Sequence, residues 1–143
     1  MSRHIEIEYL LVHCTVIHFF LSPSHLFIAY LFPVHTLDDP IFCGGHWIVD
    51  MLEIAGGDYV MPVKHGDRSM AMTNKDFIKL DPDVILIGPC GFSLDRTILD
   101  TINILGKKDW FRKLRAVQNG RLYCLDGNSY YARPGPRLLQ GTG

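Results

Sequence analysis

Residues 80–105 read LDPDVILIGPCGFSLDRTILDTINIL, and this stretch decides the fold. Its centre, DVILIG at 83–88, is a continuous aliphatic and β-branched run without the alternation of a half-buried strand. Such a run suits a strand covered on both faces in a parallel sheet. The loop GPCGFS follows. Ser93 then stands as an N-cap before Leu94, Ile98, Ile102 and Leu105, which are spaced for one helical face, and Gly106 supplies a stop. Upstream, TNKDFIKLDP at 73–82 predicts a helix capped by Thr73, with Asp76 reaching back and Pro82 preventing continuation after Asp81. A helix, a buried strand and a second helix in succession predict an α/β layer with a parallel sheet.

The flanks extend the pattern. GRLYCLDG at 120–127 predicts a second buried strand, and RPGPRLL at 133–139 opens a final helix, where a proline near the first turn costs no hydrogen bond. GGHWIVDMLEIAGG at 44–57 spaces Trp47, Ile48, Met51, Leu52, Ile54 and Ala55 at three- and four-residue steps. This predicts a short amphipathic helix over 46–55, with Gly56 taking the left-handed exit. Asp50 and Glu53 lie on its opposite face as surface neighbours. Trp110 reads as core, with Leu114 and Val117.

Composition limits the function classes. At 143 residues, 48% hydrophobic and 20% charged, the chain suits one globular domain, not two. A net charge of -1 with scattered basic residues lacks the electrostatic footprint of nucleic-acid binding. Cys14, Cys43, Cys90 and Cys124 are far apart and form no C-x-x-C pair, which fits neither a disulfide scaffold nor a closed zinc site. They do not fix the compartment.

Residues 1–35 differ from the rest. The segment YLLVHCTVIHFFLSPSHLFIAYLF at 9–32 is almost uncharged and long enough to cross a bilayer, apart from its histidines and the Ser-Pro-Ser interruption. It lacks the basic start and small-residue cleavage site of a secretory signal. His13, His18, His25 and His35 lack metal-pair spacing. Without a clean helical or strand period, this leader fits a membrane segment or a stretch that is not native coding sequence. A membrane is a partner only on the first of these readings. The expected organisation is therefore a leader over 1–35 and a folded lobe over 36–143.

Three candidate reactive groups follow. Cys90, between Pro89 and Gly91 at a helix start, is the candidate nucleophile, with Asp81 and Asp83 as nearby carboxylates. No histidine partner stands at a recognisable spacing, which favours a small residue in a tight turn. Cys43 and His46 have C-x-x-H spacing, but no second pair completes a metal site. His46 reads as a polar residue at a helix start, and no catalytic or metal residue is predicted.

The blocks LDDPIFCGGHWIVDMLEIAGG, LDPDVILIGPCGF and AVQNGRLYCLDGNSYYARPGPRLL resemble, in the same order, the C-terminal lobe of cobalamin-type substrate-binding proteins of ABC transporters. That class also carries siderophores, haem and metal ions. The resemblance covers about residues 36–143. It implies a Rossmann-like parallel sheet flanked by helices, as one of two α/β lobes joined by a long helix, with ligand held between them. It also implies a non-enzymatic protein that binds a small molecule, cobalamin or another tetrapyrrole or chelated metal, and carries no covalent cofactor. The matched blocks place His46, Trp47, Phe92, Tyr130, Tyr131 and Arg133 toward the cleft. Aromatic faces suit a broad ring, and arginine suits carboxylate, amide or phosphate edges. In such receptors an outer acidic residue docks on arginines of the transporter permease; the matching position is Asp50, with Glu53 beside it. A solvated helix face is the plain alternative.

Departures from the pattern shape the expectation. The segment before LDDP is too short for a first lobe, and RPGPRLLQGTG stops within the last helix. The chain is expected to be a lobe without its first-lobe partner, incomplete at its C-terminal end, binding weakly or not at all because half a cleft buries ligand from one side. The alternatives are a siderophore, haem or metal-ion receptor lobe, an inactive fragment, and a cysteine-dependent enzyme.

Overall fold

The computed structural model describes residues 27–31, 40–46, 48–54, 56–88 and 91–125. Among the described residues six strands form one sheet: β1 (Phe27–Leu31), β2 (Ile41–Cys43), β3 (Asp58–Tyr59), β4 (Met70–Met72), β5 (Val84–Ile87) and β6 (Leu122–Cys124). Helices α1 (Ile48–Ile54), α2 (Asn74–Leu80) and α3 (Leu94–Asn103) flank it. A 3₁₀ turn at Leu105–Lys107 follows, then the single turns α4 (Asp109–Arg112) and α5 (Arg115–Gln118).

The strand order is β4-β2-β1-β5-β6, with β3 also pairing β1. As its composition predicts, β5 is buried along its whole length. It runs parallel to β1 from Ile28↔Val84 to Leu31↔Ile87, and parallel to β6 from Ile85↔Leu122 to Ile87↔Cys124. β3 is also parallel to β1, whereas β2 and β4 run antiparallel to their neighbours. The sheet is thus mixed: the expected parallel strands are β1, β3, β5 and β6, and the β2–β4 ribbon adds an antiparallel part. The connection from Leu31 to Ile41 is too short for the helical crossover that a parallel return requires, so the chain comes back antiparallel.

β1 lies inside the segment that the sequence reading set apart as a leader. Ile28, Ala29, Tyr30 and Leu31 are all buried, and the strand is paired on both sides. The boundary expected after residue 35 therefore falls too late, because 27–31 belong to the sheet. Their missing alternation has the same cause as that of β5: a strand covered on both faces has no polar side to reveal its period. No helix among the described residues is long and apolar enough to cross a membrane. Residues 9–26 lie outside the described residues.

Local signals at three helix ends form as expected, whereas α3 ends at Asn103, before Gly106, which lies inside the 3₁₀ turn. Thr73 Oγ1 accepts from the Asp76 N–H at 3.1 Å, and Ser93 Oγ accepts from the Arg96 N–H at 3.3 Å. Gly56 takes φ +93°, and the Gly57 N–H donates to the Leu52 carbonyl, closing the end of α1.

The buried faces differ from the expected ones in detail. On α1 they comprise Ile48, Val49, Met51 and Leu52, while Ile54 is 68% exposed. Ile98 of α3 is buried together with Thr97 and Thr101, whereas Ile102 is 43% exposed. The threonines replace the expected aliphatic stripe because each hydroxyl donates to the carbonyl four residues earlier, Thr97 to Ser93 at 2.9 Å and Thr101 to Thr97 at 2.7 Å. With its polar atom so satisfied, a threonine buries like a small apolar residue against β6.

Phe77 and Phe111 fill the centre of the core. Trp110 meets both edge-on, with ring centroids 6.3 and 5.8 Å away, and Leu114 and Val117 pack on the same cluster. The expected final helix at 133–139 lies outside the described residues.

Gly88, directly after β5, offers a sharp test of this packing. A Cβ there would overlap the Tyr30 hydroxyl oxygen, and Tyr30 is only 1% exposed. Gly88→Ala is expected to cost about 2–3 kcal/mol through overpacking. Removing the oxygen with Tyr30→Phe should recover part of that loss in the double variant. Urea midpoints of the four proteins measure the coupling, and strictly additive losses would show that the ring is not the obstacle.

Candidate functional site

Three parallel strands end together. The Gly88 N–H donates to the Leu31 carbonyl at 3.0 Å, and the Leu125 N–H donates to the Ile87 carbonyl at 2.8 Å, so β1, β5 and β6 present one C-terminal edge. This is the edge at which open α/β sheets receive ligands. The first turn of α3 rises beside it, carrying Arg96, and Phe92 stands just before the Ser93 cap.

Phe92 is buried, not bare. The Arg96 guanidinium carbon stands 3.6 Å from the centre of its ring, a close cation–π contact. Arg96 is 56% exposed, with Asp100 Oδ2 3.6 Å from its Nε. Among the described residues, a group offered to solvent at this edge is therefore a stacked guanidinium. Sequence reasoning missed Arg96; the available signal was its four-residue spacing from Phe92 across the cap of α3.

His46 is exposed and takes a left-handed φ of 53°, with its N–H donated to the Asp67 carbonyl. Since β2 runs antiparallel, with Cys43 opposite Leu31, the chain is leaving the sheet's C-terminal edge as it approaches His46. Trp47, Tyr130, Tyr131 and Arg133, expected to share the cleft, lie outside the described residues, as does Cys90.

The structure does bring Asp50 and Glu53 together, and it adds His65 to them. The imidazole Nδ1 contacts an Asp50 carboxylate oxygen, and Nε2 lies 3.0 Å from the Glu53 carboxylate. Hydrogen bonding to Asp50 first, and then the charge of Glu53, raise the His65 pKa above the ordinary 6.5.

The other candidate reactive groups have structural work. Asp81 ends α2 in a left-handed conformation and receives Arg115 three times: its carboxylate from the backbone N–H at 3.0 Å and from Nε at 2.9 Å, and its carbonyl from the guanidinium at 2.7 Å. Asp83 lies 3.3 Å from the same guanidinium and accepts the Phe27 N–H at 3.0 Å. Together they fasten α2, β1 and α5 around the start of β5. Cys43 is buried, and its thiol donates to the Met70 carbonyl at 3.2 Å, away from the exposed His46. Burial pushes the Cys43 and Cys124 thiols up to about 11, which disfavours the thiolate needed by a nucleophile or metal ligand. Among the described residues no group of three or more His, Cys, Asp or Glu side chains is placed to hold a metal ion.

A groove of about 670 Å³ runs along the sheet's other edge. Met70 and Met72 of β4 form it with Pro40, Val60, Pro62 and Leu80, and among the described residues its lining has no aromatic ring. It lies across the sheet from Phe92 and Arg96.

No protein-family model matches the sequence, and no curated protein matches it significantly. Solved structures do match. An ABC transporter substrate-binding protein from Listeria monocytogenes is 17% identical with a TM-score of 0.69, over 91% of this chain and 50% of that one. A possible iron-binding periplasmic solute-binding protein from Staphylococcus epidermidis is 24% identical with a TM-score of 0.65, over 91% of this chain and 48% of that one. The periplasmic vitamin B12 binding protein of Vibrio cholerae is 18% identical with a TM-score of 0.59, over 91% of this chain and 46% of that one. The chain thus spans about half the length of these structures. Its mixed α/β sheet, flanked by helices, has the fold of one lobe of a two-lobed substrate-binding protein.

Proposed function

We propose that this chain supplies one wall of a ligand cleft in ABC-type uptake, binding a corrinoid, haem or chelated metal without transforming it. The observation that carries the reading is the common edge of β1, β5 and β6 in an α/β unit that matches half of several such binding proteins. Ligand is met beyond that edge, where Arg96 joins Phe92 of the predicted set; His46 stands on a segment that leads away from the edge, and Trp47, Tyr130, Tyr131 and Arg133 lie outside the described residues. The engaged state of Asp81 and Asp83 and the protonated thiols of Cys43 and Cys124 support binding over catalysis. On this reading Asp50 and Glu53 face the arginines of a permease.

Titration of the full chain with hemin, cyanocobalamin and a ferric hydroxamate, followed by absorbance, tests the proposal. One ligand is expected to bind in roughly the micromolar to millimolar range, since a single wall buries only part of it. For the carboxylate-bearing hemin, Arg96→Ala should weaken binding about five- to tenfold, the loss of one charge-assisted contact. No spectral change with any of the three at millimolar concentration would leave the fold without this function.

A further inference from the structure

His65 lies in the loop between β3 and β4, and each of its ring nitrogens meets a different carboxylate of α1. An ionised carboxylate only accepts, so both contacts require an N–H, and only the imidazolium carries two. The arrangement is that of the charged ring. We propose that His65 is a proton-dependent occupant of the acidic face of α1, seated where a guanidinium or ammonium group of a docking partner would bind and released when the ring loses its proton. The inference rests on the docking reading for Asp50 and Glu53 and adds the control of that surface.

Charge explains the direction. With the ring protonated, the three side chains carry a single net negative charge. Deprotonation doubles it and removes one of the two donors. A cationic partner then meets a more negative and less occupied face. The groups acting on the imidazole are the Asp50 and Glu53 carboxylates. The charged members of its own loop, Lys64, Asp67 and Arg68, do not contribute, and the Asp67 carboxylate accepts the Lys64 N–H at 3.1 Å. Because the folded-state value is raised above 6.5, the contribution of this contact to stability is fully present below 6.5. It is lost as pH rises through the raised value. His65, Asp50 and Glu53 are 54%, 53% and 52% exposed, so a partner reaches them without unfolding the loop.

The test uses the full chain and a hexa-arginine peptide at low salt. Fluorescence anisotropy near pH 5.5 and near pH 8.5 should show about fivefold tighter binding at the higher pH, the effect of one screened charge. His65→Asn should bind equally at both, at least as tightly as the parent near pH 8.5. An unchanged pH dependence in His65→Asn would overturn the competition while leaving docking intact. Equal peptide binding by an Asp50→Asn, Glu53→Gln variant, or no binding by the parent at either pH, would overturn the docking reading. An NMR titration of the His65 ring completes the set: its midpoint should fall toward 6.5 in the neutral-carboxylate variant, and a midpoint that stays put would show that the contact does not form.

Discussion

A chain beginning at residue 36 is expected not to fold, although the family resemblance starts there. β1 is the strand through which the two sides of the sheet communicate: β2 and β3 pair with it on one side and β5 on the other. Without it, β5 becomes an unpaired apolar edge and the β2–β4 ribbon has no neighbour in the sheet. Ile28, Ala29, Tyr30 and Leu31 are each no more than 1% exposed. Fully burying an aliphatic side chain is worth about 1.5–3 kcal/mol, so losing the strand and its two ladders removes a large part of the roughly 5–15 kcal/mol that holds a domain folded. Circular dichroism and amide NMR of residues 36–143 should show a collapsed, non-cooperative state. A chain beginning a few residues before Phe27 keeps the ladder and is expected to melt cooperatively. A dispersed spectrum and a sharp transition for 36–143 would show that β1 is dispensable.

The error in that boundary shows what sequence carries and what it does not. β5, the caps at Thr73 and Ser93 and the glycine exit of α1 were legible because each is decided within a few residues by φ, hydrogen bonding and burial. β1 was misread because the same two-sided burial that identified β5 between helices resembled a membrane leader when it stood among other apolar residues. The antiparallel strands follow from a short connection whose partner is remote in sequence. Asp81 and Arg115 are 34 residues apart, and His65 and Asp50 are 15 apart, so neither contact leaves a local spacing to find. At the candidate site, Phe92 was visible as a ring beside a helix start. That Arg96 would stack on it and become the exposed group depends on side-chain direction along α3, which spacing alone does not rank against solvent.

Gly45→Ala should be the most damaging single methyl addition among the described glycines. A Cβ at Gly45 would stand 2.5 Å from both the Arg68 carbonyl carbon and the Ser69 nitrogen, and 2.7 Å from the Arg68 oxygen. These are backbone atoms, so no rotamer change relieves the contact and two chain segments must separate. Three links join them there: the Gly45 N–H on Ser69 Oγ at 3.1 Å, the His46 N–H on the Asp67 carbonyl, and the adjoining Cys43↔Met70 register of β2 with β4. The expected loss is about 3 kcal/mol, the upper part of the usual overpacking range. Two controls separate causes. Ser69→Ala removes only the side-chain acceptor and should cost about 1 kcal/mol. Gly56→Ala meets no atom within 4 Å but must hold φ +93°, so it reports backbone strain alone, again about 1 kcal/mol. The same displacement would carry the 66–69 segment away from the start of α1 and loosen His65 from Asp50 and Glu53. The imidazole midpoint in Gly45→Ala should therefore drop toward 6.5 along with the urea midpoint. A variant as stable as the parent would mean that the two backbones are not in contact at this corner. A destabilised variant whose imidazole midpoint is unmoved would show that the histidine is held by α1 independently of the glycine corner.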